Sequence, residues 1–238
     1  GHSSPNSVWS GTCEFGGIGI LREGHLPTKM GQGGHPTRGH RAVNSPQTQK
    51  STFTMHFQLT EEHEMIREAA RDFAHSELLP GVIERDNEQK FPSEGVRKMG
   101  ELGFLGMMTS PEYMGGGMDT ISYVLAMEEI SKIDASASVI MSVNNSLVCW
   151  GLEKFGNEAQ KKKYLTRLAS GEIIGAFCLS EPEAGSDATS QRTTALDHGD
   201  HYVLNGTKNW ITNGHSASVY LVIAQTDVAK GHRGINCL

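Results

Sequence analysis

The 238-residue chain has few of the short signatures that announce a chemistry. No GxGxxG follows a predicted strand and no GxxxxGK[ST] occurs, which excludes Rossmann-type and P-loop phosphate cradles. No GxSxG elbow is present, so a hydrolase of that type is excluded too. His63-Glu64-Met65-Ile66-Arg67 starts like a zinc-protease helix but holds Arg67 where the second histidine belongs. Cysteine is scarce: Cys13, Cys149, Cys178 and Cys237 lie scattered without a CxxC, which argues against zinc ribbons and a disulfide framework and for a reducing compartment. Net positive charge is missing as well, with a formal charge of −6 and a pI near 6.0, which disfavours nucleic acid and anionic membranes as partners. Residues 135–152 hold no charged residue, but Ser136, Ser138, Ser142, Asn144, Asn145 and Ser146 would be costly in lipid, so this is a helix packed on other helices and not a membrane span.

The composition is uneven. Residues 1–54 carry ten of the 28 glycines, four of the eight prolines, and no periodic pattern. Ordering so much glycine is entropically costly and few apolar groups offset it. No apolar core of secretory length is present, and Gly and Pro break the amphipathic helix a mitochondrial presequence needs. The expectation is a disordered or non-native leader over 1–54, with Met55 as the start of the folded protein. The remaining 184 residues hold 16 basic and 25 acidic side chains.

From there the pattern is helical. Thr60 with Glu61 and Glu62 opens a helix carrying Ile66, Ala69, Ala70, Phe73 and Ala74, stopped at Pro80-Gly81. A second helix follows Phe91-Pro92, with Val96, Met99 and Leu102 inward. Asp119 or Thr120 caps a third, carrying Ile121, Val124, Leu125 and Ile130. The uncharged segment is a fourth. Asn157 to Gln160 has capping-box form and opens a fifth, closed by Ser170-Gly171. Lys161, Lys162 and Lys163 fit a solvated face. After Gly171 short β-rich runs take over: 173–179, then Tyr202-Val203-Leu204 up to a hairpin turn at Asn205-Gly206, then 207–212, a turn at Asn213-Gly214, and 219–226. This predicts an antiparallel, barrel-like meander without a closing strand. Asp197-His198-Gly199-Asp200-His201 fits a polar hairpin turn better than a metal site. The domain reading is 1–54 leader, 55–171 helical, 172–238 an incomplete β domain.

Two segments carry chemistry. Phe177-Cys178-Leu179-Ser180-Glu181-Pro182-Glu183-Ala184-Gly185-Ser186-Asp187 leaves a strand for a loop offering two hydroxyls and a glycine that backbone or ligand can approach closely. Three carboxylates share that loop and would repel an anion unless turned away. No base accompanies Ser180 or Ser186, so neither reads as a nucleophile. The second segment is Lys208-Asn209-Trp210-Ile211-Thr212. Strand alternation puts Trp210 and Thr212 on one face, an indole and a hydroxyl suited to a planar heteroaromatic ring. A half-buried tryptophan covering a sheet fits the same residues.

Together these segments resemble the acyl-CoA dehydrogenase family, in the manner of its short-chain, butyryl-type members. Its signature runs small, aliphatic, Ser/Thr, Glu, two free positions, small, Gly, Ser/Thr, Asp, two free positions, small; residues 178–190 satisfy it throughout. Glu183 replaces a frequent glycine at a free position. Trp210-Ile211-Thr212 is similar to the family's second flavin segment. Gly100-Glu101-Leu102-Gly103-Phe104 and Met127-Glu128-Glu129-Ile130 resemble its helical part, and the likeness spans residues 57–235.

The resemblance implies an α+β multidomain fold: an all-α N-terminal domain, a middle β domain and a C-terminal four-helix bundle, the last absent from this sequence. It implies FAD as cofactor, acyl-CoA thioesters as substrates oxidised to trans-2-enoyl-CoA, electron-transfer flavoprotein as acceptor, and a dimer or tetramer for the full-length protein. Phe177, Cys178, Leu179, Ser180, Gly185, Ser186, Trp210, Ile211 and Thr212 are the implied cofactor contacts, with Ser186 also near substrate. No metal is implied. The family's glutamate base falls beyond Leu238, so a fragment without catalytic base is expected. The compartment would be the cytoplasm in a bacterium and the mitochondrial matrix in a eukaryote. Two other readings stay open: a flavin oxidase or monooxygenase of the same fold, and a non-enzymatic truncated chain.

Overall fold

The computed structural model describes the strand backbone Gly11–Leu21 and residues 57–238. Strand β1 (Gly11–Leu21) departs from the expected disordered leader. It pairs antiparallel with a later strand. Backbone pairing needs no side-chain pattern, so even a glycine-rich stretch can add to a sheet edge. The rest of 1–54, and Met55 with it, lies outside the described residues.

The helices begin where their caps are. The Thr60 hydroxyl accepts the His63 N–H at 3.2 Å and opens α1 (Glu61–Phe73). The His63 imidazole accepts the Thr60 N–H and meets the Asp119 carboxylate at 3.0 Å. A π-helical turn (Ala74–Leu78) extends α1, and left-handed Gly81 leads into α2 (Val82–Asn87), which periodicity did not reveal. Next come α3 (Ser93–Glu101) and α4 (Thr120–Ile133), the latter capped by Asp119 accepting the Ser122 N–H at 2.8 Å. The uncharged stretch folds as α5 (Ala135–Ser142), a π segment (Val143–Cys149) and α6 (Trp150–Phe155) in unbroken succession. Then Asn157 and Gln160 cap each other's backbone at 2.9 Å, opening α7 (Glu158–Gln160), which continues through a π turn to α8 (Thr166–Ala169). Among the described residues no helix is long and apolar enough to cross a membrane.

Leu102, expected inward, is exposed (60%), as are two of the apolar residues that mark α4, Ile121 (50%) and Val124 (53%). Helix α3 ends at Glu101, and Leu102 leaves the helical path before left-handed Gly103. On α4 the buried face is Ser122, Tyr123, Leu125, Ala126, Glu129 and Ile130. Glu129 turns inward because the Arg71 guanidinium on α1 donates to both its oxygens, at 3.1 and 3.2 Å, and Lys132 donates at 3.0 Å. A buried acid is invisible to a count of apolar spacing.

Two buried amides explain why the uncharged helix is polar. Asn145 donates to Phe104 and Met141 carbonyls at 2.8 and 3.0 Å. Asn144 donates to the Leu105 and Leu168 carbonyls at 2.9 and 3.0 Å and accepts the Gly175 N–H at 3.0 Å. One side chain thereby joins three segments, and leaving such buried groups unpaired costs roughly 1–3 kcal/mol each. Helix and sheet then share a core in which Val148, Cys149, Leu152, Leu165, Leu168 and Leu221 meet.

The remaining strands are β2 (Gly175–Cys178), β3 (Thr194–Asp197), β4 (His201–Ile211), β5 (Val219–Gln225) and β6 (Ile235–Cys237). Their order is β1-β4-β3-β5-β2, with β6 also on β5. The sheet is mixed, not an antiparallel meander: β2 and β5 run parallel, as do β3 and β5. Connection through the 179–193 loop lets β2 and β3 both lie along β5. Strand β6 pairs antiparallel with β5, where no closing strand was expected. Nor does the chain turn at Asn205-Gly206. Strand β4 runs straight through it, and Gly206 (φ +151) lets Thr193 press close, since a Cβ there would lie 2.3 Å from the Thr193 Oγ1. The glycine serves close approach, not reversal. The two other turns form as expected, with the His198 N–H donating to the His201 carbonyl at 2.9 Å and Asn213 left-handed at φ +64.

Candidate functional site

The two chemistry-bearing segments lie side by side. The Asn209 N–H on β4 donates to the Ser180 carbonyl at 2.9 Å. Ser180 is half-buried at the mouth of the loop that leaves β2. Phe177 packs partly buried against the shared helix–sheet core, and Cys178 and Ile211 are buried in the sheet. These two therefore offer backbone, not side chain. Leu179 is half-buried; Gly185 and Ser186 sit exposed further along the loop.

Trp210 is 76% exposed. Its backbone is left-handed, φ +59, in the middle of a strand end. For a bulky side chain this is an outlier that costs on the order of 1–3 kcal/mol and persists only when neighbours over-determine it. They do. Lys208 and Ile211 on either side are buried, Asn209 is tied to Ser180, and the Asn213 amide donates to the Gly175 carbonyl at 3.0 Å. Burial on β4 follows Tyr202, Leu204 and Lys208, then slips to Ile211. The simple alternation expected for 209–212 therefore fails: the slip throws the indole outward, and Thr212 lies half-buried in the turn past the strand.

The loop's carboxylates are all engaged. Glu183 pairs with Arg192 at 2.6 Å. Asp187 accepts the hydroxyls of Thr189 and Ser190 at 2.6 and 2.5 Å, the Ser190 bond foremost in holding its carboxyl below the ordinary range. Glu181 turns inward. It accepts the Thr193 N–H at 3.0 Å and the Arg192 N–H, and meets the fully buried Lys208 ammonium at 2.7 Å. Burial alone would raise the Glu181 carboxyl; those donors outweigh it and hold it below the ordinary range. The electrostatic objection to an anion at this loop is thereby met in part, since no carboxylate is left without a donor.

Sequence reasoning missed Lys208 and Gln191, whose amide oxygen accepts from the Lys208 ammonium at 3.1 Å. The signal existed: Lys208 continues the inward phase of Tyr202 and Leu204. At Asp197 to His201 the imidazoles of His198 and His201 stack at 5.2 Å, and His201 meets Asp200 at 2.7 Å. Among the described residues no group of three or more His, Cys, Asp or Glu side chains is arranged to hold a metal ion.

Residues 60–172 match the model of the acyl-CoA dehydrogenase N-terminal domain, and residues 176–238 that of its middle domain. The chain belongs to the acyl-CoA dehydrogenase family. It is 46% identical over 182 residues to the short-chain specific acyl-CoA dehydrogenase of Clostridium acetobutylicum, covering 76% of this chain and 48% of that protein. Against the mouse mitochondrial short-chain specific enzyme it is 49% identical over 179 residues, covering 75% and 43%. Among solved structures, butyryl-CoA dehydrogenase from Megasphaera elsdenii aligns with a TM-score of 0.73 at 40% identity, covering 77% of this chain and 49% of that one. A glutaryl-CoA dehydrogenase from Mycobacterium smegmatis in complex with FADH2 aligns with a TM-score of 0.68 at 39% identity, covering 71% and 44%. The chain thus spans about half the length of the relatives it matches.

Proposed function

We propose that this chain supplies the helical and β portions of an FAD-dependent acyl-CoA dehydrogenase, residues 55–171 forming the first domain and 172–238 the second. The observation that carries the reading is the 2.9 Å bond from Asn209 to Ser180, which sets an exposed indole on a tied strand end beside a hydroxyl-bearing loop. The fit to a flavin is chemical. A planar ring is served by Trp210 and by the hydroxyls of Ser180 and Thr212, and a pyrophosphate by a loop whose carboxylates are already engaged.

In this reading the backbone of Phe177, Cys178, Leu179 and Ser180 and the Ser180 hydroxyl contact the pyrimidine side of the ring. Trp210, Ile211 and Thr212 contact its central part, and Gly185 and Ser186 lie toward pyrophosphate and thioester. When bound, FAD supplies a hydride acceptor. The substrate is an acyl-CoA thioester that loses an α-proton to a carboxylate and a β-hydride, giving trans-2-enoyl-CoA. Glu181 is not that carboxylate, because its oxygens are consumed by Lys208 and two backbone amides. Among the described residues none is assigned the role, and the chain alone is expected to turn over no substrate. Electron-transfer flavoprotein accepts the electrons, and the full-length protein is a homo-oligomer. The compartment is the bacterial cytoplasm or the mitochondrial matrix, according to source.

Titrating FAD into the purified chain tests this. Quenching of Trp210 emission with a shifted flavin absorbance band is expected, both lost in Trp210→Ala. Binding that is indifferent to Trp210 and Ser180 would refute the site. Conversion of butyryl-CoA with a dye acceptor by the chain alone would overturn the assignment of the base elsewhere.

A further inference from the structure

Lys208 is the largest fully buried side chain of the described residues. Its three ammonium protons have three acceptors: Glu181 Oε1 at 2.7 Å, the Leu179 carbonyl at 2.9 Å and Gln191 Oε1 at 3.1 Å. Glu181 in turn receives the N–H groups of Arg192 and Thr193, and its own backbone pairs with Ala184 in both directions at 3.0 and 3.1 Å. One cation and one anion thereby hold both ends of the 179–193 loop against β4. Ser180 lies between two of the tied residues, Leu179 and Glu181. Trp210 lies two positions beyond Lys208 on the strand.

A pair this deep is a poor way to gain stability, since desolvating two charges offsets most of their attraction and an apolar pair of like volume does as well. What it provides is fixed position. Each ion has its donors or acceptors on different segments, so it is satisfied in only one register of loop against strand. We propose that Lys208 and Glu181 are positioning residues for the cofactor: their buried pair locks the Ser180 loop and the Trp210 strand end into a single rigid frame. The proposal rests on the flavin reading above, yet the frame exists without any ligand and can be measured without one.

The test compares the 238-residue chain with Lys208→Met and with the double variant Lys208→Met/Glu181→Leu. Amide hydrogen exchange is read at Asn209, Arg192 and Thr193, with amides of α4 and α5 as reference, and FAD affinity is read by titration. In Lys208→Met the three site amides are expected to exchange at least about tenfold faster than in the parent, with the reference helices unchanged. The double variant is expected to recover thermal stability while FAD affinity and the protection of Asn209, whose acceptor on Ser180 neither substitution removes, stay at least about tenfold down. Loss of stability and loss of positioning then separate, which a purely structural pair would not allow. Recovery of protection and affinity together with stability in the double variant would overturn the proposal, as would unchanged exchange in both variants. If Lys208→Met fails to fold, the double variant decides. If the parent takes up no FAD, the cofactor reading has failed and the exchange comparison alone decides the frame.

Discussion

Two buried glutamates serve the two halves of the molecule differently. Glu129 joins α1 to α4 through Arg71 and Lys132, cations that are themselves 45% and 53% exposed. Glu181 joins a loop to β4 through Lys208, which is wholly buried. In the helical half the ion pair is an accessory to packing, because Ala70, Phe73, Ile130 and Met141 already fix the helices against one another. In the β half the loop has few apolar groups, and the ions fix its place. Burial of the cation separates a pair that can be replaced by water from one that cannot.

The comparison breaks most readily at the sheet. Glu181→Leu strands a buried ammonium and is expected to cost about 3–5 kcal/mol in urea unfolding. A loss no larger than that of Arg71→Met would erase the distinction drawn above. Gly206→Ala comes next, since its Cβ would collide with Thr193; a loss of about 1–3 kcal/mol is expected, with little change in the helical signal at low urea. Acid probes the other glutamate. Hydrogen bonding to Arg71, against the opposing effect of burial, holds the Glu129 carboxyl at about 2 against its ordinary 4.5. A depressed carboxyl stabilises above its unfolded value and loses that contribution as protons bind, so stability should fall from pH 4.5 toward 2. Glu129→Gln should flatten that fall, part of which persists through Asp119, also held at about 2 by the backbone N–H of Ser122. The smallest effect has the opposite sign. Trp210→Gly relieves a left-handed backbone and should leave stability unchanged or raised by up to about 1 kcal/mol while weakening FAD binding. A clear loss of stability would show that the indole packs where its 76% exposure says it does not.

Much of the helical half was legible because its rules are local. Thr60, Asp119 and Asn157 cap within three residues of themselves, so spacing alone finds them. The exposure of Leu102, Ile121 and Val124 escapes apolar spacing because the inward face of a helix is settled by its neighbours. In the β half, Asn205-Gly206 has the composition of a hairpin, but its glycine answers to Thr193, 13 positions back. Strand alternation pairs Trp210 with Thr212 and the family resemblance makes them flavin contacts, but one left-handed residue breaks the alternation, so the shared face it predicts does not form. A lysine in a strand reads as solvent-facing until its acceptors are seen, and those of Lys208 are Leu179, Glu181 and Gln191.

Asn144 carries a last implication. Its amide reaches the Leu105 and Leu168 carbonyls and the Gly175 N–H, so the helices and the first strand after them hang from one planar group. Aspartate has the same outline but no protons to give at neutral pH. Asn144→Asp would thus set an anion against two carbonyl dipoles where helices meet sheet, and unfolding expected to run as one step in the parent should split into two, helices and sheet melting apart.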